Sequence, residues 1–159
     1  MVAAPVGFQC RECVAEGAAA TQPTSGPIPG RVAAISRPYV TYVLVGVCVI
    51  AFLLSLSAGI ESAVGGYGMR PVYIAVDGQW YRLLTSVFMH WSILHIGFNM
   101  LVLIMLGPTL ETVLGHFRFT VLYILAGLGG AVASYCFSPL ATASVGASGA
   151  IFGLMGALI

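Results

Sequence analysis

Three long apolar runs and the start of a fourth dominate this chain, and nearly all of its charged residues lie outside them. A helix crosses the ~30 Å hydrocarbon core of a bilayer with about 20 apolar residues, and a charge placed inside that core is costly. Hydrophobic residues make up 59% of the chain and charged residues 7%, whereas a soluble domain has about 25% charged residues. The sequence therefore predicts an all-α, polytopic membrane protein. Its net charge of +1 gives no reason to expect nucleic acid as a partner.

The apolar runs predict membrane helices over residues 39–60, 84–106 and 119–137, and a fourth that begins near Ser148 and is still running at Ile159. Residues 61–82 mix charged, aromatic and apolar types, which suits a partly embedded loop at the membrane interface. Residues 107–111 contain Gly and Pro and predict a tight connection after the second helix. Arg31 and Arg37 precede the first helix, so the positive-inside rule predicts a multi-pass protein of the cell membrane with a cytoplasmic N-terminus.

Two regions precede the membrane part, which we place at residues 39–159. Residues 1–16 form a polar head. Residues 17–38 are rich in Ala, Pro, Thr, Ser and Gly, and predict a flexible linker because they offer little apolar surface to bury. The first 38 residues lack a charged start followed by an apolar core, so the first helix is expected to insert uncleaved. The 11 residues after Ser148 are too few to cross a bilayer, so we expect the chain to be part of a longer protein.

Three polar residues in or beside the second apolar run are costly in lipid: His90, His95 and Asn99. His95 and Asn99 are four residues apart and therefore share one helix face. They suit either hydrogen bonding between membrane helices or donation to a developing oxyanion. His90 lies at the outer end of the same helix, where it suits a structural or auxiliary role.

Ser148 lies between small residues at the predicted start of the fourth helix. Such a serine usually serves packing. A helix N-terminus, however, supplies unpaired N–H groups and the positive end of the helix dipole, which stabilise an oxyanion when the hydroxyl attacks a carbonyl. The outer end of the second helix should lie at similar depth, so we expect Ser148, His95 and Asn99 in one neighbourhood. A serine nucleophile also needs a base. His116 is predicted on the cytoplasmic side, too far away, so the base is expected outside these residues.

Five motifs, in order and at compatible spacing, closely resemble those of the rhomboid intramembrane serine proteases. They are Trp80-Tyr81-Arg82, the stretch from Leu83 to His90, His95-Ile96-Gly97-Phe98-Asn99-Met100, Gly107-Pro108-Thr109-Leu110-Glu111 with Gly115, and Gly146-Ala147-Ser148-Gly149. The resemblance covers roughly residues 39–159. It implies a bundle of about six or seven membrane helices, about four of them in this chain. It also implies a protease that cleaves transmembrane segments of membrane proteins in the bilayer.

By matching positions, the resemblance implies that Ser148 is the nucleophile. His95 and Asn99 would stabilise the oxyanion with the Ser148 backbone N–H, and His90 would lie close to the site. The family's general base is a histidine on a later helix. The resemblance therefore implies a Ser–His dyad completed outside this chain, no cofactor for catalysis, and 159 residues that are inactive on their own.

Arg82 and Glu111 match an arginine and a structural glutamate of the same family. Read without the resemblance, Arg82 suits an interfacial anchor that snorkels to the membrane surface. Glu111 suits an acceptor of hydrogen bonds from its own loop. We favour structural roles for both residues.

The four cysteines divide into two kinds. Cys48 and Cys136 lie in apolar runs and are expected to pack as small hydrophobes. Cys10 and Cys13 form a C-x-x-C pair, which is half of a zinc site, because four ligands are normally needed and no further Cys or His lies nearby. A metal-free surface pair is an equal alternative.

Two other functions remain open at this point. An inactive rhomboid-like protein would bind membrane clients without cutting them, although the intact Gly-x-Ser-Gly motif argues against it. A transporter or channel would use His90, His95 and Asn99 to line a polar path. That alternative lacks the paired carboxylates or broken-helix symmetry often seen in such proteins, and it gives Ser148 no role.

Overall fold

The computed structural model describes the backbone of residues 2–3 and 8–9, and residues 37–158. The chain divides into two units, residues 1–31 and 32–159. In the first unit, strand β1 (Val2–Ala3) pairs antiparallel with strand β2 (Phe8–Gln9). Cys10 and Cys13 lie outside the described residues, as does most of the linker predicted over residues 17–38. The boundaries of the head and the linker stay predictions.

Helices make up most of the described part of the second unit. They are α1 (Tyr39–Ala58), α2 (Ile60–Tyr67), α3 (Pro71–Asp77), α4 (Arg82–Thr85), α5 (Ile93–Leu114), α6 (His116–Phe137) and α7 (Ser148–Gly156). Helices α1, α5 and α6 are each long and apolar enough to cross a membrane. These helices confirm the prediction of an all-α, polytopic bundle.

The first span ends two residues earlier than expected. Gly59 has a φ of +87°, a conformation that residues with a Cβ rarely adopt, and it separates α1 from α2. The predicted interfacial loop over residues 61–82 is therefore folded, since α2, α3 and the start of α4 occupy most of it. We call residues 59–81 the interfacial segment.

The second span differs from the prediction at both ends. It begins at Ile93 rather than Leu84 because the chain turns between α4 and Ser92, where the Ser92 hydroxyl caps α5 by accepting from the His95 N–H at 3.3 Å. His90 therefore precedes the span instead of lying in it. A side-chain acceptor at this position satisfies one of the N–H groups that open a helix.

The tight connection expected at residues 107–111 is helical, so that prediction was wrong. Pro108 lies inside α5, which continues to Leu114 and ends at Gly115, whose φ is +77°. Membrane helices tolerate proline where neighbouring helices pack against the break. Here Gly107 and Glu111 are held against α1: a Cβ added at Gly107 would lie 2.5 Å from a Thr41 methyl.

The fourth helix begins at Ser148, as predicted, but it does not run on to Ile159. It ends at Gly156. The Ala157 N–H is shared between the carbonyls of Gly153 and Leu154, both at 3.2 Å, and the Leu158 N–H bonds to the Met155 carbonyl, three residues back, at 3.1 Å. The helix thus ends in a turn tighter than an α-helix. Helix α7 has nine residues, fewer than a bilayer span needs.

Helices α6 and α7 pack closely against each other through glycines. A Cβ added at Gly130 would lie 2.9 Å from the Cα of Gly149, and one added at Gly153 would lie 2.2 Å from the Ala126 Cβ. Small residues at such positions let the backbones of membrane helices approach closely. The apolar core beneath it includes Leu103, Tyr123 and Leu154, and it joins α5, α6 and α7.

Candidate active site

Ser148 is the first residue of α7. The first N–H groups of a helix have no acceptor within the helix, and the first intrahelical bond here is donated by Ile151 to the Ala147 carbonyl at 2.9 Å. The Ser148 side chain is exposed in this chain, and its hydroxyl has no hydrogen-bond partner among the described residues. The hydroxyl is thus free and lies beside unpaired backbone donors.

A cavity of about 260 Å³ joins Ser148 to two of the residues selected from the sequence. Its polar lining is Ser148, His95 and Asn99, and its apolar lining is Phe98, Val102, Ile151, Phe152 and Met155. The structure therefore brings a hydroxyl, an imidazole and an amide to one concave surface between α5 and α7. His90 does not line this cavity.

Gly146 brings the chain before Ser148 into contact with His95. Its φ is +122°, and a Cβ added there would lie 2.7 Å from both Cε1 and Nε2 of the His95 ring and 3.9 Å from the Asn99 amide nitrogen. Only a residue without a side chain fits at this distance. The sequence placed Gly146 in a motif but did not show this contact.

The Asn99 amide is buried and oriented along its own helix. Its Nδ2 donates to the His95 carbonyl at 2.8 Å. An amide nitrogen carries two hydrogens, so one N–H remains for another acceptor. This bond fixes the rotation of the Asn99 side chain and makes the free N–H a preorganised donor.

His90 contacts His95 rather than Ser148. The two rings meet edge to face, with centroids 5.1 Å apart. The Nδ1 of His90 lies 3.2 Å from the Phe88 carbonyl, while its buried Nε2 has no partner among the described residues. Burial, and secondarily the neighbouring His95, lower the pKa of His90 to about 4, against the opposing effect of the Phe88 carbonyl. His90 is therefore neutral at physiological pH.

Arg82 is buried among backbone carbonyls, so the snorkelling alternative was wrong. Its Nη1 donates to the carbonyls of Gly65 and Gly68 at 3.0 and 2.8 Å, and its Nε donates to Gln79 at 2.6 Å. The guanidinium also lies 4.7 Å from the centre of the Tyr73 ring, within the range of a cation–π contact. Arg82 thus links Gly65 and Gly68, at the end of α2, to Gln79, just before α4.

Glu111 lies far from the candidate site and bonds to another helix rather than to its own loop. Its two oxygens accept from the N–H groups of Val40 and Thr41 at 2.9 and 2.7 Å and from the Thr41 hydroxyl at 2.7 Å. The His116 Nδ1 lies 2.6 Å from the same carboxylate. Sixteen residues of α5 separate Glu111 from His95, roughly 24 Å of helix. His116 is consequently remote from Ser148, as the sequence predicted.

A second cavity, of about 160 Å³, lies on the α6 side of Ser148 and is rich in hydroxyl groups. The serines that line it with Ser148 are Ser86, Ser134 and Ser144. The sequence pattern does not distinguish these three residues from other serines of the chain. A serine is common in membrane helices as a packing residue, so only their convergence in the fold distinguishes them.

Residues 37–158 contain no group of three or more His, Cys, Asp or Glu side chains that could hold a metal ion. Cys10 and Cys13 fall outside this range, and zinc binding by that pair stays a prediction.

These helices and this cavity define a polytopic membrane protein with polar side chains gathered at an open cavity between two of its helices. The family model described as the rhomboid domain matches residues 77–159. The rhomboid protease GluP of Bacillus subtilis (strain 168) is 37% identical over 126 residues, which are 77% of this chain and 24% of GluP. The putative rhomboid protease YdcA of the same organism is 36% identical over 123 residues, or 75% of this chain and 60% of YdcA.

A plant relative, RHOMBOID-like protein 4 of Arabidopsis thaliana, is 36% identical over 107 residues, covering 67% of this chain and 26% of the relative. The chain thus spans between 24% and 60% of the length of these relatives. Since the family model covers more than half of the chain, the chain belongs to the rhomboid family.

Proposed function

We propose that the full-length protein is an intramembrane serine endopeptidase and that Ser148 is its nucleophile. The observation that carries this proposal is the cavity where the free Ser148 hydroxyl, at the start of α7, meets His95 and Asn99. Membership of a family whose relatives are named proteases supports the same function.

In the proposed reaction, the Ser148 oxygen attacks the carbonyl carbon of the scissile peptide bond, and its proton passes to a histidine on a later helix of the full-length protein. The carbonyl oxygen becomes an oxyanion, which accepts from His95, from the free N–H of Asn99 and from the Ser148 backbone. The histidine then protonates the leaving amine, and water hydrolyses the acyl-enzyme. Removing one donor from such an oxyanion hole typically lowers kcat by about 10²–10³-fold.

The proposed substrates are transmembrane segments of membrane proteins. A helical segment hides its carbonyls in intrahelical hydrogen bonds, so a segment that unwinds easily near the outer membrane surface suits this site. We place the protein in the cell membrane, with the cytoplasm at the N-terminal end of α1.

A fluorophosphonate probe that modifies activated serines tests this proposal on the full-length protein in detergent. We expect the wild type to be labelled and to cleave a transmembrane reporter. We expect Ser148→Ala to lose both, and Ser138→Ala, a serine in the loop before α7, to keep both. A folded full-length wild type that neither labels nor cleaves would favour the inactive client-binding alternative.

A further inference from the structure

We propose that the interfacial segment positions Ser148, and that Gly68, Met69 and Ser144 are positioning residues for the nucleophile. This inference rests on the proposed function. The loop that leads to Ser148, residues 138–147, forms a two-way backbone pair with the segment. The Met69 N–H donates to the Ser144 carbonyl at 3.0 Å, and the Ser144 N–H donates to the Met69 carbonyl at 2.8 Å.

A third hydrogen bond between the same two regions lies further from Ser148. The Val72 N–H, in α3, donates to the Leu140 carbonyl at 3.2 Å. The segment is therefore bonded to the loop at two positions, Met69 and Val72. Backbone pairing of this kind fixes the register of two chains relative to each other.

Two further bonds hold the last residues before Ser148. The Ser144 hydroxyl donates to the Ser134 hydroxyl of α6 at 3.2 Å. The Gly146 N–H donates to the Ser86 carbonyl, just after α4, at 2.9 Å. Residues 144 and 146 are thus held by three different parts of the fold, while the Ser148 side chain itself has no partner among the described residues. The position of its hydroxyl is set by this backbone.

Gly68 is packed tightly between the end of α2 and the loop. A Cβ added there would lie 2.6 Å from the Val64 carbonyl oxygen and 3.0 Å from a methyl of Val145, three residues before the nucleophile. Met69, next in the chain, is fully buried. A methyl group at position 68 must therefore displace either α2 or the loop. A misplacement of about 1 Å in a catalytic group can lower the rate about 100-fold.

Gly68→Ala tests this inference from the side of the interfacial segment, with Gly66→Ala as its matched control. A Cβ added at Gly66 meets nothing within 4 Å, and neither glycine has a positive φ. We expect Gly68→Ala to lower kcat and the rate of fluorophosphonate labelling by at least about tenfold, with KM within twofold of the wild type. We expect Gly66→Ala to match the wild type.

Ser144→Ala tests the side-chain part of the same arrangement. Losing one hydrogen bond at a positioning residue should lower kcat about fivefold, again without a change in KM. Ser144→Thr keeps the hydroxyl and should restore the rate. Thr142→Ala removes an exposed hydroxyl from the same loop and should have no effect. Thermal unfolding of each variant in detergent establishes that the folded proteins are being compared.

Failure of this inference differs from failure of the proposed function. A wild type without labelling would contradict the protease itself. With an active wild type, unchanged kcat in folded Gly68→Ala and Ser144→Ala would overturn the positioning role, as would equal losses in Gly66→Ala and Gly68→Ala. If Gly68→Ala does not fold, the contrast between Ser144→Ala, Ser144→Thr and Thr142→Ala decides.

Discussion

At Gly146 the backbone approaches the His95 ring more closely than any residue with a side chain allows. An added Cβ would lie 2.7 Å from Nε2, and the φ of Gly146 is +122°. Alanine at this position would therefore clash with the ring and would also have an unfavourable backbone conformation. Gly146 therefore helps to fix the distance between Ser148 and the imidazole proposed to stabilise the oxyanion.

We predict that Gly146→Ala lowers the rate of fluorophosphonate labelling of the full-length protein by about 100-fold, because the loop or the His95 ring must shift. The matched control is Gly129→Ala in α6, where an added Cβ meets nothing within 4 Å and the φ is not positive. Labelling rates are compared at equal folded concentration. A Gly146→Ala protein that labels as fast as Gly129→Ala would contradict the prediction.

At the scale of the helices, Glu111 joins three elements through one buried carboxylate. It accepts both N–H groups from Val40 and Thr41 at the start of α1, and it bonds His116 at the start of α6. A negative charge at a helix N-terminus is stabilising, and charge-assisted bonds are stronger than neutral ones. This residue thus anchors the end of the bundle opposite to Ser148.

We predict that Glu111→Gln destabilises the protein by about 2–3 kcal/mol, because the amide removes the charge and turns an N–H₂ group towards donors. The measurement is the midpoint of unfolding in detergent, taken beside Glu61→Gln. Glu61 is exposed at the start of α2, and its substitution should change stability by no more than about 0.5 kcal/mol. Equal midpoints for the two variants would show that the Glu111 carboxylate does not hold the helices together.

The same helices show why the sequence predicts the elements better than their ends. Apolar runs of sufficient length predict the spans, because hydropathy is a local property of the chain. The end of α5 depends instead on Glu111 meeting Thr41, 70 positions earlier, and no local pattern reveals that pair. The Gly-Pro dipeptide favours a turn, yet packing of Gly107 on Thr41 outweighs it.

The candidate site likewise combines features that local sequence predicts with features that it does not. Four-residue spacing places His95 and Asn99 on one helix face, which is local information. The approach of Gly146 to His95 and the convergence of Ser86, Ser134 and Ser144 beside Ser148 depend on contacts between distant parts of the chain. Those contacts could not be predicted from spacing.

At the scale of the whole bundle, hydrogen bonds connect the helix ends in two separate groups. Glu111 and its partners place the start of α1, the end of α5 and the start of α6 together. The Met69–Ser144 and Val72–Leu140 bonds place the interfacial segment beside the loop that follows α6. Because α1, α5 and α6 are each long enough to cross a membrane, these groups lie on opposite faces.

The positive-inside rule assigns the two faces. Arg31 and Arg37 precede α1 in the sequence, and the exposed Arg118 lies in the first turn of α6. Among the described residues, the opposite face has two arginines, Arg70 and Arg82, and Arg82 is buried in hydrogen bonds. We therefore predict that the Glu111 face is cytoplasmic and that the loop over residues 138–147 lies outside. Accessibility of single cysteines to a membrane-impermeant maleimide measures this in intact cells.

The background for that experiment is the full-length protein with all of its cysteines replaced by serine, including Cys10, Cys13, Cys48 and Cys136. Thr142→Cys, in the exposed loop before α7, should react in intact cells. Arg118→Cys should react only after the membrane is permeabilised, and labelling of permeabilised cells controls for accessibility at both positions. The reverse pattern would invert the topology and place Ser148 near the cytoplasmic surface. Substrates would then have to unwind at the inner leaflet.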